Sequence, residues 1–311
     1  MKPRLADYFH LHFIVLIWGF TAVLGLLADS VSAWGLVIQR TLWAAVGLGV
    51  VMLVRRQRVQ ISRTEIIKLL AVGVILAVHW FTFFGSARIA NASISLAGLA
   101  TGSLWCSLLE PLFYRRKIRP LEVGLGLVAI TGLYVIFHFE FTHALGLGLA
   151  VITALLSAVF TILNSQFVQR HDAITITFYE MLGATITGVV LALVYQQLVP
   201  NDPITLWPAD PVDWLWILTL AGVCTVYAYT AAVWLMRKFS PFAVNLTVNL
   251  EPVYGVALAV LIFGEKEKMT LGFYAGAAVI LLAVLAYPVL SSSRFSDWYG
   301  RVRTANPETP G

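Results

Sequence analysis

The chain has 311 residues, of which 59% are hydrophobic types and only 12% are charged. Because a soluble domain carries about 25% charged residues, this composition excludes an ordinary soluble protein. Apolar runs of about 20 residues, the length that crosses about 30 Å of hydrocarbon, recur along the chain. The formal net charge of +5 comes from basic residues between these runs, not from a basic face, which argues against nucleic acid as a partner.

Ten apolar runs follow one another, and each predicts a transmembrane helix. Helices are favoured because lipid offers no partner for backbone polar groups, whereas a barrel would show alternating runs of about ten residues. The first run is expected to stay in the mature protein, because it is long, lacks an A-x-A cleavage site and precedes many more spans. The predicted helices are 9–28, 34–54, 66–86, 92–113, 121–138, 145–166, 173–195, 214–236, 242–263 and 270–290.

The basic residues predict how the chain is oriented. With the N-terminus inside, 17 Lys and Arg residues fall in inner segments and three, Arg88, Lys266 and Lys268, in outer ones. This bias predicts that both termini are cytoplasmic in a bacterial inner membrane. The longest loop, 196–213, is then outside and has no Lys or Arg, and 291–311 is a polar cytoplasmic tail.

An internal repeat is the most informative pattern. Arg88 after the third helix corresponds to Arg237 after the eighth at an offset of 149 residues, and Arg40 corresponds to Glu180 at an offset of 140. The pattern predicts two five-helix repeats, 1–140 and 141–290. Since five is odd, the repeats enter the membrane in opposite orientations, and this arrangement places a substrate site near the midplane between them.

The second half of the chain resembles a known family. NLEPV stands at 249–253, FGE at 263–265 and LG at 271–272, and a small-residue run follows. This succession is similar to the EamA-type branch of the drug/metabolite transporter superfamily, and the resemblance covers about 9–288. The first half departs from it, with Gly-Ser-Leu-Trp at 102–105 where an acidic-proline pair is expected. The resemblance implies ten helices around a central cavity and export of amino acids, other metabolites or drugs.

Arg40 and Glu180 are candidate cavity residues, because an ionisable group at the centre of a span costs about 2.5–3.5 kcal/mol and should face a cavity or a partner. Arg40 lies about six residues into the second helix and would hold a substrate carboxylate. Glu180 lies about seven residues into the seventh helix and would bind a substrate amine or a proton. The alternative for each is a structural ion pair, although their predicted depths do not favour a salt bridge between the two. For Arg40 a further alternative is that its side chain extends to the outer surface.

Glu251 lies near the middle of the ninth helix, next to Pro252, which removes a backbone donor. It is a candidate cavity residue that would bind a proton or substrate, and the alternative is a residue that only accompanies the kink. Asn245 and Asn249 precede it and share one helix face, so both are also candidates for the cavity.

An aromatic cage is a further hypothesis. His79 and Trp80 lie deep in the third helix, and Tyr227 and Tyr229 lie in the corresponding region of the eighth, of which we select Tyr227. Such rings would stack on a planar or cationic substrate. The alternative is ordinary packing, which is the commoner role of aromatic side chains in helices.

The predicted function is secondary transport by alternating access, with export or exchange of a small metabolite. The resemblance favours amino acids or related compounds as substrates, and no catalytic residues, metal or cofactor are expected. The chain lacks a phosphate-binding loop, so ATP is not expected to drive it. The expected partners are the lipid bilayer and a small-molecule substrate, with protons as the candidate coupling ion, and either a monomer or a homodimer fits. The alternatives are a drug efflux transporter of the same fold and a membrane-embedded enzyme acting on lipid-linked substrates, which would need a histidine or carboxylate cluster.

Overall fold

The computed structural model describes residues 3–57, 60–115, 117–139, 141–267 and 269–290. Lys268 and the predicted tail 291–311 therefore lie outside the described residues. Within them the chain is helical and forms fourteen α-helices with one π-helical segment. In chain order these are α1 (Leu5–Gly19), α2 (Thr21–Leu27), α3 (Ala33–Val54), α4 (Arg63–Ile89), α5 (Ala92–Leu99), α6 (Gly102–Tyr114), α7 (Pro120–Phe139), α8 (Ala144–Phe167), α9 (Ala173–Leu198), α10 (Pro211–Thr219), the π-helical segment (Leu220–Tyr227), α11 (Ala228–Leu235), α12 (Pro241–Val248), α13 (Glu251–Phe263) and α14 (Leu271–Leu290).

The predicted all-α, polytopic membrane fold is confirmed. Eight helical segments of the described chain are long and apolar enough to cross a bilayer. Helices α7 and α14 stand where the fifth and tenth spans are predicted, so the count of ten spans stays a prediction. The eight segments are Leu5–Leu27, Ala33–Val54, Arg63–Ile89, Ala92–Tyr114, Ala144–Phe167, Ala173–Leu198, Pro211–Leu235 and Pro241–Phe263.

Polar side chains mark where several helices begin. Ser32 accepts a hydrogen bond from the backbone N–H of Gly35, and Asn91 accepts one from Ile94. Ser240 does the same at the start of α12. These bonds satisfy backbone donors that the first turn of a helix leaves free. Helices α4 and α10 begin three residues before the predicted positions, because polar first turns extend each helix beyond its apolar run.

Two spans are broken near their middles in the same way. The fourth divides into α5, of eight residues, and α6, of thirteen. The ninth divides into α12 and α13, which also have eight and thirteen residues and begin 149 positions later. The two breaks therefore recur at the offset that relates Arg88 to Arg237.

These two arginines also occupy corresponding positions. Arg88 donates hydrogen bonds to the carbonyl oxygens of Val31, at 2.7 Å, and Ala28, at 3.0 Å, beyond the end of α2. Arg237 donates to the carbonyls of Val168 and His171, both at 2.9 Å, beyond the end of α8. Each arginine thus satisfies carbonyls that the end of a helix leaves unpaired. The two sets of carbonyls stand 140 residues apart, as Arg40 and Glu180 do.

Helices α7 and α14 cross where two glycines face each other. A Cβ atom on Gly132 would lie 2.6 Å from the carbonyl oxygen of Gly276, and one on Gly276 would lie 2.5 Å from the carbonyl oxygen of Gly132. Neither position has room for a side chain at this separation. The absence of a side chain at Gly132 and at Gly276 therefore allows α7 and α14 to pack this closely.

Candidate functional site

A cavity lies between the helices of the two halves. We call it the central cavity, and its walls combine the side chains of Arg40 and Glu251 with aromatic, hydroxyl-bearing and apolar side chains. They are Trp18, Thr21, Arg40, His79, Trp80, Phe83, Leu99, Ser157, Phe160, Thr161, Tyr229, Ala232, Met236, Val244, Val248 and Glu251.

Arg40 brings a positive charge to the central cavity. Its side chain is 3% exposed. Nε donates a hydrogen bond of 2.9 Å to Oγ1 of Thr225, in the π-helical segment, and the guanidinium carbon lies 4.4 Å from the centre of the Trp80 ring. No other hydrogen bond or ion pair of this side chain forms within the described part of the chain, so its remaining N–H groups are available to a ligand in the cavity.

Glu251 brings a negative charge to the same space. It is the first residue of α13 and is 4% exposed. Oε1 accepts a long hydrogen bond of 3.4 Å from Thr21, whose hydroxyl also donates to the carbonyl of Trp18 at 2.7 Å. Arg40 and Glu251 line the same cavity. The two groups do not form an ion pair in the described structure, so the cavity presents separated opposite charges.

His79 lines the cavity as part of the aromatic wall. Its Nδ1 lies 2.9 Å from the carbonyl oxygen of Thr153. Because a carbonyl oxygen only accepts, Nδ1 carries a proton. The ring lies parallel to Phe83 and meets Phe160 edge-on at 5.1 Å. Groups of three or more His, Cys, Asp or Glu that would hold a metal are absent from the described residues.

Trp80 and Tyr229 form the link between the two halves at the cavity. Their ring centres are 6.3 Å apart, and the residues stand 149 positions apart in the sequence. Trp80 contacts Arg40, and the hydroxyl of Tyr229 contacts Glu180. The pair Arg40–Trp80 in one half therefore has a counterpart in Glu180–Tyr229 in the other.

Glu180 lies behind the cavity wall rather than on it. Its side chain is 0% exposed. Oε2 accepts hydrogen bonds from the hydroxyl of Tyr229 at 3.0 Å and from Nδ2 of Asn164 at 3.4 Å. Oε1 has no hydrogen-bond partner among the described residues. The structure thus brings Glu180 next to a residue of the cavity without exposing it there.

Three further candidates do not line the central cavity. Tyr227 is 43% exposed, and its hydroxyl lies 3.1 Å from Nε2 of His10 on the outer surface of the bundle. Side chains two residues apart on a helix point to nearly opposite sides, so Tyr229 takes the inward position. Asn245 and Asn249 are buried against α6, where they donate hydrogen bonds to Sγ of Cys106 and Oγ of Ser103.

Sequence reasoning did not select several residues of the wall. Thr21 donates to Glu251 and Phe160 meets His79 edge-on within the wall, while Thr225 accepts a hydrogen bond from Arg40 behind it. The offset of 149 from Trp80 was a usable signal for preferring Tyr229 to Tyr227. Threonine and phenylalanine within apolar helices carry no comparable signal.

The described residues form an all-helical, polytopic membrane fold with a central cavity. Residues 144–287, which are less than half of the chain, match the EamA-like transporter family, and this match supports an EamA-type transporter. A solved crystal structure is similar in fold, with a TM-score of 0.67 and 17% sequence identity over 94% of this chain and 100% of that one. No curated protein matches the sequence.

Proposed function

We propose that this transporter exports or exchanges amino acids or closely related zwitterions across a bacterial inner membrane, by alternating access and without an enzymatic activity. The observation that carries the proposal is the pair of separated charges, Arg40 and Glu251, in one aromatic-walled cavity. Proposed with it are cytoplasmic termini and two inverted repeats, 1–140 and 141–290.

A zwitterion matches the chemistry of this cavity. The planar guanidinium of Arg40 suits a carboxylate, which it binds through paired N–H groups. The carboxylate of Glu251 suits an ammonium group. A ligand that carries both charges would compensate both buried groups at once, whereas a singly charged ligand would leave one of them without a partner. The rings of Trp80 and Phe160 would then contact an apolar side chain.

The repeated geometry supports alternating access. The broken spans, the helix-capping arginines and the pairs Arg40–Trp80 and Glu180–Tyr229 all recur at offsets of 140 or 149 residues. Two halves that each carry the same contacts are able to exchange conformations, and in that arrangement the substrate site lies where they meet.

Counterflow in proteoliposomes tests the substrate class. Vesicles preloaded with phenylalanine are expected to take up labelled phenylalanine, while vesicles without protein do not. Leucine should compete, and phenylethylamine and phenylpropionate, which each lack one charged group, should compete far less. Equal competition by phenylethylamine would favour an organic cation and hence drug efflux. Failure of every amino acid to exchange, with the protein folded, would refute the proposal.

A further inference from the structure

Glu180 is a buried carboxyl group that the proposed substrate site does not use. We infer that Glu180 binds the proton that is coupled to transport, and that Tyr229 transmits its protonation to the central cavity. The inference rests on the proposed function, because it names the coupling ion of the same site. It assigns different tasks to two buried glutamates, Glu251 to substrate and Glu180 to a proton.

The hydrogen bonds around Glu180 leave a vacant position for a proton. Both donors, Tyr229 and Asn164, point to Oε2, and Nδ2 of Asn164 also donates to the Tyr229 hydroxyl at 2.8 Å. Oε1 of Glu180 and Oδ1 of Asn164 are buried acceptors without a donor among the described residues. Since buried polar groups are normally paired, two unpaired acceptors on contacting residues indicate a missing hydrogen. A proton on Oε1 supplies it and turns Glu180 into a donor.

The surroundings of Glu180 contain no compensating cation in the part of the chain that the structure describes. From α11, Tyr229 is the titratable group that faces it, and α8 contributes the neutral Asn164. The ionisable groups that α3 and α4 turn toward the cavity, Arg40 and His79, are bound elsewhere, to Thr225 and to the carbonyl of Thr153. Glu65 and Lys68, near the beginning of α4, form an ion pair with each other. A lone intramembrane carboxyl of this kind is suited to a proton relay.

Tyr229 provides the connection to the substrate. When Glu180 is ionised, the Tyr229 hydroxyl donates its hydrogen to Oε2 and is not available to the cavity. When a proton adds to Oε1, the carboxyl becomes neutral, the bond to Oε2 weakens, and the hydroxyl is free to turn toward the cavity that Tyr229 lines. No covalent bond other than the new O–H bond forms, and the tyrosine keeps its own proton. Protonation thereby changes what the substrate meets.

The test separates exchange from accumulation in proteoliposomes of the full chain. A gradient of one pH unit drives at most about tenfold accumulation per coupled proton. Labelled phenylalanine should accumulate in wild-type vesicles under this gradient. In Glu180→Gln the accumulation should vanish, while counterflow stays within about twofold of wild type. Tyr229→Phe, which keeps the ring, should also lose accumulation. The matched control Glu65→Gln, at the end of a helix, should accumulate normally.

Several outcomes would overturn the inference. Accumulation by Glu180→Gln, or accumulation that follows a sodium gradient instead of a pH gradient, would exclude Glu180 as the coupling site. Counterflow by the wild type without any pH-driven accumulation would do so while leaving the proposed function intact. Absence of counterflow would refute the proposed function itself.

Infrared spectra of the protein give a readout that needs no substrate. On acidification the wild type and Tyr229→Phe should show a band of a buried protonated carboxyl that Glu180→Gln lacks, any band from Glu251 being common to all three proteins. The absence of this difference would contradict the assignment.

Discussion

Arg40 is a buried charge that the protein holds without an acidic partner in the described structure. A hydrogen bond to Thr225 and a cation–π contact with the ring of Trp80 fix the guanidinium. A desolvated cation–π contact contributes about 2 kcal/mol. These contacts use Nε and the flat face of the group. They leave its remaining N–H groups for a ligand, so the side chain is both anchored and available.

Replacing Arg40 by lysine should therefore impair substrate binding although the charge is kept. Lysine lacks the planar N–H groups and the stacking surface, and loss of a hydrogen bond to a charged group costs about 1.5–3 kcal/mol. The KM for phenylalanine in proteoliposome exchange should rise by about tenfold or more. Arg170→Lys, at an exposed arginine, is the control and should leave KM unchanged. An unchanged KM in Arg40→Lys would remove Arg40 from the binding site.

The ionisable residues of the site could be predicted from the sequence. Which of the neutral side chains face the cavity could not. Arg40, Glu180 and Glu251 stand out because charges within apolar runs are rare. Which side chains face the cavity depends on helix phase. The π-helical segment, which ends at Tyr227, has wider turns than an α-helix. Counting α-helical turns from the beginning of the span through this segment therefore does not give the facing of the residues after it. The partners of Asn245 and Asn249, Cys106 and Ser103, are set by tertiary packing.

The arginines at the ends of α4 and α11 connect helices that are distant in sequence. Arg88 ties α4 to the end of α2, and Arg237 ties the segment after α11 to the end of α8. The sequence relates Arg88 to Arg237 but does not predict that they bind helix ends, because charged residues in loops are common. Their bonds to backbone carbonyls hold the first span of each half against the third.

Substituting these arginines should lower stability more than an exposed arginine does. Arg88→Gln and Arg237→Gln each leave carbonyls unpaired and should reduce the free energy of unfolding by about 1–3 kcal/mol. The larger loss is expected for Arg88, which is half-buried, whereas Arg237 is exposed. The thermal unfolding midpoint of the purified protein in detergent measures the effect. Arg63→Gln is the exposed control, and equal midpoints for all three variants would show that the caps do not stabilise the bundle.

The positions of the helices followed from the apolar runs, and the breaks within them followed only in part. Pro252 marked the ninth span as interrupted, and the structure ends α12 at Val248. The fourth span is interrupted after Leu99 although no proline stands there. Hydropathy reports whether a segment is apolar and does not detect a change in backbone direction. The internal offset of 149 carries the missing information, because it relates the second break to the first.

The whole bundle should sit with its termini and its most basic loops in the cytoplasm. Cysteine labelling tests this orientation, because the native Cys106 and Cys224 are both buried. In intact cells, a membrane-impermeant thiol reagent should label Asn201→Cys, in the loop 196–213. It should label Lys117→Cys, between α6 and α7, only after the cells are opened. The reverse pattern would invert the proposed orientation while leaving the fold unchanged.

The crossing of α7 and α14 imposes an unusual form of mutational coupling. Gly132 and Gly276 each fill the space that the other's side chain would need. A first substitution at either position must push the helices apart and thus bears the whole cost of separation. A second substitution then enters a gap that already exists and costs little, so the two effects are strongly non-additive. A substitution at one glycine accordingly removes most of the constraint on the other, so the two positions are expected to change as a pair during evolution.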